Sequence, residues 1–267
     1  MTEKETTPLT QEQLDYQARE KRVMDALRLQ KPDRVPIAVF DEYFCLSQGG
    51  VTPGEAYYDY DRAFTVFVDE VVKFNWDMVT HCGNFPGPVA EVLGLKTNQW
   101  GGHNLPKTQQ YQYVEKEYML ADEYDEFLKD PGDFTVRTLW PRMAEGLEPF
   151  AKFPRLLSMS NSYAPIAEIA LMAGLPEVRE MLEKLIQAGE EMNKYLGALD
   201  QLTQDLAEKG FPVIDEGVIA HAPFDWISDY YRGIKGSMLD MFYQPDKLKA
   251  AIDLVTPNMI DYSIETA

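Results

Sequence analysis

Cysteine is nearly absent. The 267-residue chain has two, Cys45 and Cys82, with no paired spacing. That excludes a disulfide framework and a four-cysteine zinc module, and makes a reducing compartment the expected home. Histidine is almost as scarce, at three residues, so few imidazoles are on hand for proton transfer near neutral pH. Cationic side chains are outnumbered, 25 Lys and Arg against 44 Asp and Glu, giving a formal net charge of -19. Phosphate binding needs clustered cations, so nucleic acid and anionic membrane are not expected partners. No apolar run reaches the roughly 20 residues of a membrane span. The opening Met1-Thr2-Glu3-Lys4-Glu5 has no apolar signal core. A soluble, cytoplasmic protein is the expectation.

What the chain does have is hydrophobic content of 45%, enough for a sizeable core, and 12% aromatic residues. Its apolar residues form four short runs: 35–40, 77–80, 155–159 and 211–214. Each ends in polar residues and precedes a helical pattern. The polar ends are Asp41-Glu42-Tyr43, His81-Cys82-Gly83-Asn84, Ser160-Asn161-Ser162-Tyr163 and Asp215-Glu216. Repeated βα units predict a parallel α/β barrel whose strand ends build the active site. Closure needs eight strands, so the expected fold is a TIM (β/α)8 barrel that is incomplete at its carboxyl end. Residues 1–20 are read as a tail and the start of the first helix, and 21–267 as one partial-barrel domain. Over 96–118 the turn residues Gly101-Gly102 and Asn104, and the alternation in 111–117, predict an inserted β-hairpin.

The helices carry their own punctuation. Thr10 with Gln13 reads as a capping box, and Thr52-Pro53 as a helix start. A helix from about Asp61 to Phe74 buries Val66, Phe67, Val71 and Phe74. From Pro176 to about Lys209 a wide apolar stripe runs from Val178 to Leu206 and is expected to pack on a sheet, with Gly210 ending the helix. Pro245 opens a last helix.

The strand ends supply the candidate site. His81 is suited to protonate a leaving oxygen, or else simply bonds a backbone carbonyl. Asp41 and Glu42 are placed for catalysis or for a hard cation, and Tyr43 for substrate binding. The competing reading has one of the three capping the next helix. Asn84, Asn161, Tyr163, His221, Asp225 and Arg232 are the remaining substrate-binding candidates. Asp225 is equally placed to cap a helix, and Arg232 to pair with Asp229 or Asp240. Cys82 adjoins His81, and neighbours on a strand point to opposite faces, so the two do not make a metal pair by themselves.

Three stretches resemble the uroporphyrinogen decarboxylase superfamily, which includes cobalamin-dependent methyltransferases. They are Arg22-Val23-Met24-Asp25-Ala26-Leu27 with Pro32-Asp33-Arg34-Val35-Pro36; Leu156-Leu157 with Ala164-Pro165 and Gly174; and Ala222-Pro223-Phe224-Asp225 with Tyr231-Arg232-Gly233, Asp240-Met241 and Pro245. In the decarboxylases an arginine-rich loop follows strand one and an aspartate follows strand two. Here the first place reads Asp41-Glu42-Tyr43-Phe44-Cys45 and the second Thr80-His81-Cys82-Gly83. An acidic pocket repels a polycarboxylate, so the resemblance implies methyl transfer ahead of tetrapyrrole decarboxylation. It implies a small methylated substrate or thiol, a corrinoid on a partner protein, zinc held by a His-x-Cys pair and a later Cys expected beyond Ala267, and a homodimer as the assembly. The remaining alternative is an inactive fragment or pseudoenzyme that acts as a binding partner.

Overall fold

The computed structural model describes residues 8–81, 85–155, 158, 165–214 and 221–266. They divide into two compact units. The first comprises Met1–Gly87, Trp100–Gln110 and Met192–Glu216, and the second Pro88–Gln99, Tyr111–Glu191 and Gly217–Ala267.

The barrel expectation is overturned: 67% of the described residues are helical. Strand β1 is only Ala38–Val39 and β2 only Met78–Val79, paired in parallel, with a single parallel bridge from Val79 to Val213. The predicted run 155–159 lies largely outside the described residues. Two physical causes are visible. Pro36 and Pro212 each remove a ladder donor beside the pairing residues. Val35 and Phe40, flanking β1, stand 81% and 72% exposed, whereas a parallel barrel strand is covered on both faces. The hairpin forms as a separate two-stranded sheet, β3 (Asn98–Trp100) with β4 (Tyr111–Tyr113).

In the first unit the helix Tyr60–Phe74 buries Ala63, Phe64, Phe67, Val68 and Val71 and packs on the short helix Phe44–Gln48 through Cys45 and Leu46. Val66 is half-buried and Phe74 exposed, so the buried face is rotated from the one predicted. Tyr195, on the helix Pro176–Glu208, sets its ring 5.2 Å from Tyr60 and 6.4 Å from Phe64. Aromatic side chains therefore cover this part of the stripe where a sheet was expected. Leu182, Ile186 and Leu196 of the same stripe remain exposed. Fully buried Asp77 anchors the entry to β1. Arg34 grips its carboxylate from two nitrogens, Arg22 adds another contact, and the Ile37 amide donates at 2.8 Å. Arg22 also holds Asp33 through two bonds of 2.7 Å.

The second unit is built on Tyr118, Met119, Tyr124, Phe127, Phe134, Leu139, Ile227, Tyr231, Leu248, Ala251 and Val255. Beside this core lies a buried ion pair. Arg232 Nε donates to Asp240 Oδ2 at 2.6 Å, and Arg232 Nη1 reaches Glu117 at 2.8 Å and the Met119 carbonyl. Tyr124 and Gln244 donate to the two Asp240 oxygens at 2.8 and 2.9 Å. Burial alone would raise the Asp240 carboxyl, but bonds from Arg232, Gln244 and Tyr124 outweigh it and hold the group below the usual carboxylate range.

Asp240→Ala strands the Arg232 charge and is expected to cost about 4 kcal/mol, whereas the double change Arg232→Met with Asp240→Leu comes out near neutral. Urea unfolding of both variants checks this, and equal losses contradict it. In the first unit, bonding to Arg22 depresses Asp33 to about 2. Burial pushes Asp77 up, but its hydrogen bonds and the arginine charge prevail and lower it. Both carboxylates have folded values below their unfolded ones. Their stabilisation is fully present above ~4 and drains as pH falls towards ~2. An acid titration of Asp77→Asn should show a smaller loss through that window than the unaltered chain.

Candidate functional site

The predicted site residues that are described fall into two groups, one in each unit. In the first, the Asp41 amide donates to Thr80 Oγ1 at 3.1 Å, tying the ends of β1 and β2 together beside His81. The Asp41 carboxylate accepts from the amides of Phe44 at 2.9 Å and Cys45 at 3.1 Å. It is buried against the start of the helix Phe44–Gln48, where it satisfies amides that the helix itself leaves open. Tyr43 is buried, with its hydroxyl bonded to that of Tyr57 at 2.8 Å and the rings edge-to-face at 6.1 Å. Glu42 faces solvent. His81 is half-buried, its Nε2 lying 2.8 Å from Thr203 Oγ1. Asn84, Asn161 and Tyr163, with Cys82, lie outside the described residues.

In the second unit His221 is exposed, edge-on to Tyr230 with ring centres 5.8 Å apart. Asp225 is exposed in the first turn of the helix Pro223–Ile227, whose cap position is held by Ala222 without a side-chain bond. The capping reading for Asp225 therefore fails. Of the two partners foreseen for Arg232, Asp240 is the one bonded, with Glu117 added.

Two π-helical turns, Thr135–Leu139 and Ser228–Arg232, shape the ground around His221. Such wide turns shift side chains off the regular helical stripe and recur at functional sites. Thr135 Oγ1 and the Tyr231 hydroxyl, one from each turn, lie 3.0 Å apart. They face a cavity of about 480 Å³ that is mostly apolar, with Phe127, Trp226, Val255, Met259 and Tyr262 in its walls. A second cavity of about 280 Å³ lies among Tyr113, Glu115, Lys116, Tyr118, Asp229 and Tyr230. His221 lines both. Burial raises the Tyr231 hydroxyl despite its bond to Thr135. Burial, then Tyr113 and the Asp229 charge, raises that of Tyr230.

Apart from His221, sequence reasoning passed over these cavity residues. The cluster Trp226, Tyr230 and Tyr231 was a visible signal, but π turns have no periodic signature. Among the described residues no three His, Cys, Asp or Glu side chains converge to hold a metal ion, and Cys45 is buried.

Asp41→Ala should cost about 1–2 kcal/mol, as for loss of a helix cap. Unaltered denaturant unfolding would show that this carboxylate does not hold the helix. Comparison with known proteins places no relative beside the chain: no family model, no curated protein and no solved structure matches it.

Proposed function

We propose that the chain removes a methyl group from a small O- or N-methylated compound, the acceptor being a corrinoid carried by a separate protein in a reducing cytoplasm. The reaction class comes from the resemblance to the superfamily, in which the stretch 222–245 is similar to the methyltransferase-like members and the acidic Asp41-Glu42-Tyr43 replaces the decarboxylases' arginine-rich loop. The observation that carries the substrate class is the apolar cavity of about 480 Å³, walled by Phe127, Trp226, Val255 and Met259. A space of this size and lining suits a flat or apolar molecule, with few polar groups to orient it.

Within this reading the chain has two tasks. The aromatic walls hold the methoxyl carbon in one direction, because methyl transfer requires donor and acceptor in line. His221, at the cavity wall, holds a proton for the oxygen or nitrogen that departs without its methyl group. This role passes from His81, which belongs to the other unit and is bonded to Thr203. The corrinoid supplies the methyl-accepting cobalt. The zinc ligands that the resemblance implies are expected beyond Ala267, and among the described residues no three His, Cys, Asp or Glu side chains converge, so no step is assigned to zinc.

The test uses the full chain, chemically reduced cobalamin and 2-methoxyphenol. Catechol should form, and His221→Ala should slow its release about a hundredfold, the lower end for loss of a positioned acid. Absence of catechol, or an unchanged rate in the variant, overturns the reading.

A further inference from the structure

We infer that the smaller cavity of the second unit is a separate binding site for a small organic cation, a quaternary ammonium or protonated alkylamine. The inference does not rest on the methyl-transfer reading, because a different space carries it. Tyr113, Tyr118 and Tyr230 bring three aromatic rings to the cavity, and Glu115 and Asp229 bring two carboxylates. The ring quadrupole attracts a cation over its face, and carboxylates at the rim complete the charge match. Lys116 is the only Lys or Arg among the lining residues, so the fixed charge there is two negative against one positive.

The Lys116 ammonium already lies over the Tyr118 ring, 5.8 Å from its centre. The tyrosine wall thus accommodates an ammonium in the folded protein, and a ligand would compete with that side chain or join it. Backbone geometry keeps the carboxylate in place. Glu115 Oε1 accepts from the Lys235 amide at 3.2 Å. Gly233, at φ +70°, lets the chain pass so close that a Cβ there would lie 2.8 Å from that oxygen. The Asp229 charge contributes to the upward shift of the Tyr230 hydroxyl, which places the carboxylate within electrostatic reach of the ring. Size sets the class. At about 280 Å³ the space falls just under the roughly 300–1,000 Å³ of drug-sized pockets, so the ligand is small. The chain's net charge of -19 favours collection of cations.

Calorimetric titration of the full chain with choline, against its neutral carbon analogue 3,3-dimethyl-1-butanol, tests the assignment. Choline should bind saturably and the alcohol at least about tenfold more weakly. Asp229→Asn changes an exposed side chain and should fold normally. It should weaken choline about fivefold and Tyr230→Leu about tenfold, while Lys116→Met, by removing the resident cation, should tighten it. Val136→Trp, filling the apolar cavity, should leave choline binding unchanged. No saturable binding of choline, equal binding of the alcohol, or indifference to Asp229→Asn each overturns the site.

Discussion

A guanidinium buried beside a hydrophobic core has to be neutralised, and the groups that neutralise Arg232 fix the segments lining both cavities of the second unit. Asp240 lies on the helix Gly233–Tyr243, while Glu117 and the Met119 carbonyl lie on the irregular stretch after β4. The Met119 amide returns a bond to the Tyr231 carbonyl at 2.7 Å. Arg142 adds a second clamp, reaching the Tyr118 carbonyl and both oxygens of Glu123. One wall of the smaller cavity and one wall of the larger are thus stitched to the same charge. Tyr118 and Tyr230 face the first, and Tyr231 faces the second.

Such a pair is a poor source of stability, since desolvation of two charges offsets most of their attraction. Its effect is on uniqueness. An apolar side chain at 232 would fill the space yet remove the bonds to Glu117 and the Met119 carbonyl, leaving residues 115–119 to contacts such as Glu115–Lys235, Met119–Tyr231 and Arg142–Tyr118. Gly236 fits the same logic: a Cβ there would lie 3.1 Å from Arg232 Nη2. The first unit uses the device again, with Asp77 gathering Arg22, Arg34 and the Ile37 amide at the entry to β1.

Local chemistry was legible in the sequence and tertiary pairing was not. The Thr10–Gln13 capping box forms as the spacing implies, and the helix start at Thr52-Pro53 forms with Glu55 completing a second box. The helices Tyr60–Phe74 and Pro176–Glu208 end within a residue or so of their apolar periodicity. Gly210 takes positive φ after the second of them. These features are set by neighbours a few residues apart. The barrel was inferred from four apolar runs, but a run does not say whether another strand will lie beside it. Prolines 36 and 212 were the signs against, since each removes a donor from the strand it adjoins. The cavities draw on residues from 97 to 263, a span with no local signature. His221 was singled out because it precedes a helix start. Its neighbour Tyr230 was not, and it lies in a π turn, which has no periodic signature.

Apolar and cation-seeking pockets meeting at one histidine are a chemical arrangement distinct from either alone, and both need the Arg232 network to hold their walls. Methyl-labelled methionine NMR tests that dependence most directly, because Met143 lines the smaller cavity and Met259 the larger. In Asp240→Asn both resonances should shift or broaden, while Met24 and Met192 of the first unit keep their positions. If Met143 and Met259 stay fixed with Asp240 replaced, the buried ion pair does not organise the cavities.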